Sequence, residues 1–156
     1  MTVLQENLDT DMKKVLFVCT GNTCRSPMAQ AVFNNITKEK GLDFISDSCG
    51  LSTDESAISK NARNALLNSG INFECYSKQI NEKLVSEADY VITITQRHRQ
   101  AVISLFPQFG DKVFSFPFDI SDPYGADLNE YTLCLQQIKT GVEAIIEELV
   151  KYDNKK

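Results

Sequence analysis

Three side chains in this sequence could together move a phosphoryl group: Cys19, Arg25 and Asp122. Cys19 ends the apolar run Val15-Leu16-Phe17-Val18, and Thr20-Gly21-Asn22-Thr23-Cys24 leads from it to Arg25-Ser26-Pro27. A loop of this kind, with Gly21 free to take positive φ, can curl its backbone N–H groups inward. Such a nest at a helix N-terminus binds anions. Thr20, Gly21, Asn22, Thr23, Cys24 and Ser26 would form the cradle, and Arg25 adds a planar fork that matches phosphate oxygens. The helix dipole, the N–H groups and Arg25 all favour a thiolate at its mouth. Cys19 is therefore expected to have a depressed pKa and to act as a nucleophile. Cysteine is also a common core residue, and it is the strand-to-helix setting that separates the two readings.

Transfer of phosphate to Cys19 requires a proton for the leaving atom, and a carboxylic acid on a loop above the cradle is the simplest donor. The segment Phe118-Asp119-Ile120-Ser121-Asp122-Pro123-Tyr124-Gly125 holds two carboxylates, Asp119 and Asp122. The proline ring after Asp122 holds that residue extended, which helps to aim it.

Residues 15–19 have the length and character of a buried parallel strand. Ser26 reads as the N-cap and Pro27 as the first residue of a helix running to about residue 40, with Gly41 as its stop. Further strands are expected at 44–49, 90–94 and 112–116, and helices at 57–69, 79–87 and 96–106. The clearest periodicity comes last: Leu128, Tyr131, Leu135, Ile138, Val142, Ile145 and Leu149 recur at steps of three and four. Gly141 interrupts that stripe. Alternation of strand and helix predicts an α/β fold: a single three-layer domain, a four-stranded parallel sheet with helices on both faces, and the phosphate loop after the first strand. Ligands of such sheets bind at the carboxyl ends of the strands, where Cys19 lies.

The 156 residues fit one domain, over 13–152, preceded by a polar extension at 1–12. That extension carries Glu6, Asp9 and Asp11 and has no apolar core, so it does not read as a secretory signal. A net charge of −5 argues against a nucleic-acid or membrane-surface binder, and no stretch is apolar for long enough to span a bilayer. The five cysteines form no C-x-x-C pair, which points to free thiols in a reducing cytoplasm. No metal-ligand cluster is present, and the chemistry calls for no metal or cofactor. The single histidine, His98, reads as a surface helix residue, which weakens any Cys–His protease reading.

The run from Cys19 to Ser26 directly after a first strand, paired with Asp122-Pro123-Tyr124-Gly125 far downstream, resembles the low-molecular-weight protein-tyrosine phosphatases. The resemblance extends from about Lys13 to the last helix. It implies a phosphoprotein phosphatase working through a phosphocysteine on Cys19, with Asp122 as the acid, Asp119 a loop carboxylate and Tyr124 a wall of the substrate slot. It also implies that Asn22 and Ser26 brace the loop, that Ser48 supports it, and that Cys24 can trap an oxidised Cys19 as a disulfide. Its partners would be phosphorylated proteins, and its state a monomer or weak dimer. The family often carries a histidine before a Gly-Ile, where this chain has Ser69-Gly70-Ile71, so one brace of the loop is in question.

Thr23 bears on the substrate. Many tyrosine phosphatases of the family have isoleucine there, whereas a bacterial branch acting on phosphoarginine resembles this chain through Cys-Thr-Gly-Asn-Thr-Cys-Arg-Ser-Pro-Met-Ala. A threonine hydroxyl opens a polar notch for a guanidinium-linked phosphate, and the reading leans that way over strict phosphotyrosine. Arsenate reductases with a very similar loop need cysteines after the third strand, where this chain has Thr93-Ile94-Thr95-Gln96-Arg97-His98. A non-hydrolytic phosphate-binding module would have no use for Asp122.

Overall fold

The computed structural model describes residues 12–154; the polar extension, apart from Met12, lies outside them. The elements are β1 (Lys13–Cys19), α1 (Arg25–Glu39), β2 (Phe44–Gly50), α2 (Lys60–Asn68), α3 (Glu82–Glu87), β3 (Tyr90–Thr93), α4 (Gln96–Leu105), a 3-10 turn (Pro107–Lys112), β4 (Val113–Ser115) and α5 (Leu128–Asn154). The strands form one parallel sheet in the order β2-β1-β3-β4.

The period of two along β1 divides its apolar run between two cores. Val15, Phe17 and Cys19 face α1, α2 and α5, where Phe17 meets Phe33 and Phe116 edge-on. Leu16 and Val18 face the other way, onto Val85 of α3 and Val102 of α4. This is the three-layer arrangement expected, and the periodic stripe of α5 packs on the first of these cores. Gly141 is no mere interruption of that stripe. A Cβ there would lie 2.4 Å from Cε2 of Phe116, so the ring occupies the space that a side chain would need.

Several element starts differ from the sequence reading, each for a local reason. Ser26 is not the N-cap of α1: that position is Cys24, without a side-chain cap, and Ser26 lies inside the first turn. The helix expected from residue 57 begins at Lys60, because Ala57 bridges to Tyr76 and Ser59 accepts from the Ala62 N–H. The helix expected from residue 79 begins at Glu82, because Gln79 bridges to Gly50 and Asn81 provides the cap.

Candidate active site

The sheet order reverses direction at β1: β2 lies on one side of it, and β3 and β4 on the other. Ligand sites of open parallel sheets lie at such a switch point, beyond the carboxyl ends of the strands. Cys19 is the last residue of β1, and the loop 20–24 delivers the chain from it into α1. The left-handed turn that curls this loop is taken by Asn22 at φ 57°, not by Gly21 as the sequence reading had it. Asparagine tolerates that conformation when its short amide finds local partners.

Those partners fix how the site is protonated. The Asn22 side-chain oxygen accepts the Lys78 backbone N–H at 2.9 Å, so the amide nitrogen must point the other way. It donates to Ser26 Oγ at 2.8 Å and to Ser48 Oγ at 3.0 Å. Ser48 passes its own proton on to Gln30 Oε1 at 2.6 Å. Ser26 already accepts from Asn22, so its one proton is free to be donated. Cys19 Sγ lies 2.8 Å away, and the alternative acceptor, the Cys49 carbonyl, is at 3.5 Å. The Ser26 hydroxyl is thereby placed to donate to Cys19 Sγ, and a hydrogen bond in that direction favours a thiolate. Asn22 is thus braced by a main-chain N–H, that of Lys78. Ser69 ends α2, bonded to the Leu66 carbonyl.

Burial pushes the Cys19 thiol up. Against it act the Ser26 hydroxyl, the Ser26 N–H, the Arg25 guanidinium and the Asn22 N–H, in that order. Burial outweighs them in the free chain, so the expectation of a depressed thiol is corrected here. The loop offsets a penalty rather than creating an excess. Ser26→Ala removes the largest offsetting contact, so the alkylation rate of Cys19 by iodoacetamide should reach its midpoint at a higher pH than in the wild type. An unmoved midpoint would mean that the hydroxyl does not act on the sulfur.

Arg25 is buried in the first turn of α1 and extends under the loop that carries Asp122. Its Nη1 donates to the Ile120 carbonyl at 2.8 Å, and Nη2 lies 3.7 Å from an Asp122 oxygen. The Asp122 side chain is half exposed, and its other oxygen accepts from the Tyr124 N–H at 3.1 Å, so it is oriented yet open to a ligand. Tyr124 stands out at the rim, 79% exposed. Thr23 Oγ1 lies 3.7 Å from Cys24 Sγ, and that sulfur contacts Tyr131 Oη at 3.2 Å. Together Cys19, Arg25, Asp122 and Tyr124 line a cleft of about 450 Å³. Among the described residues no group of three His, Cys, Asp or Glu is placed to hold a metal ion.

Two contributors were missed by sequence reasoning. The segment after β2 borders the cleft through Ser52, Thr53, Asp54 and Ser56, pinned by the Leu51 N–H on the Cys19 carbonyl and the Ser52 N–H on the Thr20 carbonyl. That close approach needs Gly50, where a Cβ would lie 2.6 Å from the Thr20 carbonyl oxygen. The second is His98. It is buried, not a surface residue, and its Nε2 lies 2.9 Å from Thr20 Oγ1. Burial, with the Arg25 charge next, pushes its pKa down to about 4, so the ring is neutral at neutral pH.

A sequence model for the low molecular weight phosphotyrosine protein phosphatases matches residues 14–155. The chain belongs to this family. Its members are cysteine-dependent protein phosphatases, and no helix of the described residues is long and apolar enough to cross a membrane. The chain is 33% identical over 145 residues to a protein-arginine-phosphatase of Bacillus subtilis, covering 88% of this chain and 94% of the relative. It is 30% identical over 154 residues to the low molecular weight protein-tyrosine-phosphatase YfkJ of the same organism, covering 90% and 97%. Among solved structures, a mutant of the arginine phosphatase YwlE with a phosphorylated active-site serine superposes with a TM-score of 0.86 at 31% identity, covering 88% of this chain and 96% of that one.

Proposed function

We propose that this phosphatase hydrolyses phosphoarginine in proteins through a phosphocysteine on Cys19, with Asp122 as acid and then base. The observation that carries the mechanism is the Ser26 hydroxyl 2.8 Å from Cys19 Sγ, in one cleft with the Asp122 carboxylate that lies 3.7 Å from Arg25. Cys19 first passes its proton to the bound phosphate dianion; the thiolate then attacks phosphorus as the bond to the leaving nitrogen or oxygen breaks, and Asp122 gives that atom its proton. The Asp122 carboxylate then takes a proton from water as the water oxygen attacks phosphorus. The S–P bond breaks, releasing phosphate and restoring the thiolate. Arg25 and the N–H groups of residues 20–26 hold the three equatorial oxygens in both steps. The Thr20 hydroxyl is engaged by His98, so Thr20 serves the phosphate through its backbone.

Thr23 supports phosphoarginine over phosphotyrosine. Its hydroxyl lies in the cleft with only a long contact to Cys24, which leaves it able to accept from a substrate N–H. The name of the Bacillus subtilis relative, a protein-arginine-phosphatase, agrees with this reading. Thr23→Ile should shift the ratio of kcat/KM for phosphoarginine over phosphotyrosine about tenfold toward tyrosine, because the polar notch becomes an apolar wall. A ratio unchanged by that substitution would leave strict phosphotyrosine hydrolysis as the better reading. Cys24, already in the loop, is the resolving thiol: peroxide takes Cys19 to a sulfenic acid, and the Cys24 thiol displaces water to form the disulfide. With five cysteines free, the phosphatase is read as cytoplasmic, and its net charge of −5 speaks against nucleic acid as a partner.

A further inference from the structure

The nucleophile loop and the acid loop come from opposite ends of the chain, yet the proposed reaction needs Cys19 and Asp122 at a fixed separation. Arg25 bridges them only from below, and a bound phosphate would compete for the same guanidinium. A second connection leaves the guanidinium out and reaches the cradle only through the Thr20 side chain. It runs through the first turn of α4.

Gln96, the first residue of α4, donates its backbone N–H to an Asp119 oxygen at 3.0 Å. Asp119 lies three residues before Asp122 in the acid loop, so the loop carboxylate of the sequence reading is a ligand of a helix N-terminus, where a negative charge is favoured. Two residues further along α4, His98 Nε2 meets Thr20 Oγ1, and Thr20 follows Cys19 directly. The turn is itself held firmly. Thr95 caps it by accepting from the His98 N–H at 3.1 Å, and the Thr93 hydroxyl donates to the Thr95 carbonyl at 2.8 Å. The His98 ring is buried, and its Nδ1 has no hydrogen-bond partner among the described residues. A buried polar atom left without a partner is unfavourable.

Building on the proposed phosphatase reaction, we infer that the first turn of α4 is the strut that sets the distance between the two catalytic loops. His98 is the positioning residue for the nucleophile loop and Asp119 the one for the acid loop. Neither touches the reacting atoms, and each acts through its neighbour. The two ends of the strut therefore fail in different ways. Loosening the acid loop impairs only proton delivery, so it matters when the leaving group needs a proton. Loosening the nucleophile loop impairs every substrate alike.

The test measures kcat/KM, which reports the first phosphoryl transfer, with two aryl phosphates: one with a strongly acidic leaving phenol and one with an ordinary phenol. Asp119→Ala should lower the rate about tenfold with the ordinary phenol and less than twofold with the acidic one. Asp119→Asn keeps an acceptor for the Gln96 N–H and should recover most of the loss. His98→Leu should lower both rates about tenfold and weaken inhibition by inorganic phosphate in step. His98→Gln, whose amide nitrogen can take the place of Nε2, should stay within about threefold of wild type on both. Equal losses on the two substrates from Asp119→Ala, or none, would overturn the strut, as would His98→Gln failing as badly as His98→Leu while still folded by circular dichroism. A wild-type protein that hydrolyses neither the aryl phosphates nor a phosphoarginine peptide would instead refute the phosphatase mechanism, so the two failures are told apart.

Discussion

Arg25→Lys should lower kcat/KM about a thousandfold while leaving the fold intact. The guanidinium has two tasks that an ammonium cannot share. One nitrogen is committed to the Ile120 carbonyl, and the other lies toward Asp122 and the cleft. Lysine keeps the positive charge but offers a compact point in place of a planar fork, so it cannot grip two phosphate oxygens and tether the acid loop at once. Transition-state charge on the equatorial oxygens is what such a fork stabilises. The loss should therefore fall mainly on kcat, with a weaker effect on inhibition by inorganic phosphate. A drop of less than tenfold would mean that the backbone cradle alone carries the phosphate. Because Arg25 is buried in the first turn of α1, thermal unfolding should be recorded alongside, to show that the variant remains folded.

Asp122→Asn should lower kcat/KM about a hundredfold for substrates whose leaving group must be protonated, and far less for an aryl phosphate with an acidic phenol. Asparagine preserves the acceptor for the Tyr124 N–H, so the turn and the aim of the side chain survive and only the transferable proton is lost. This makes it a cleaner probe than alanine. The dependence of rate on leaving-group pKa should steepen in the variant. If both substrates slow equally, Asp122 orients the loop and another group supplies the proton.

The sheet was readable because β1 is apolar on both faces and ends at a cysteine, and because α5 repeats its apolar positions over about six turns from Leu128 to Leu149. That Cys19 and Arg25 would share a cleft was readable from the strand-to-helix loop, whereas Asp122, which lines the same cleft, was singled out from Asp119 by the resemblance. What the sequence hid were contacts between distant segments. Nothing local to His98 tells that Thr20 lies above it, and its neighbours in α4 are Arg97 and Arg99, which look like a solvent face. Asp119 looked like a spare carboxylate because its partner, the Gln96 N–H, is a backbone group. Gly21 drew the left-handed turn on intrinsic preference, and Asn22 took it because Ser26, Ser48 and Lys78 together satisfy its amide. The thiol was read from the charges around it. Burial, which a sequence does not display, decides its direction.

The most direct test of the account is to catch the phosphoryl group on sulfur. The enzyme is mixed with a phosphoarginine peptide, denatured within milliseconds, and its peptides are sequenced by mass spectrometry. The account predicts a phosphate on Cys19 that appears before free phosphate accumulates and decays as the peptide is consumed. Steady release of phosphate with Cys19 never modified, or with the phosphate found on another side chain, would contradict it.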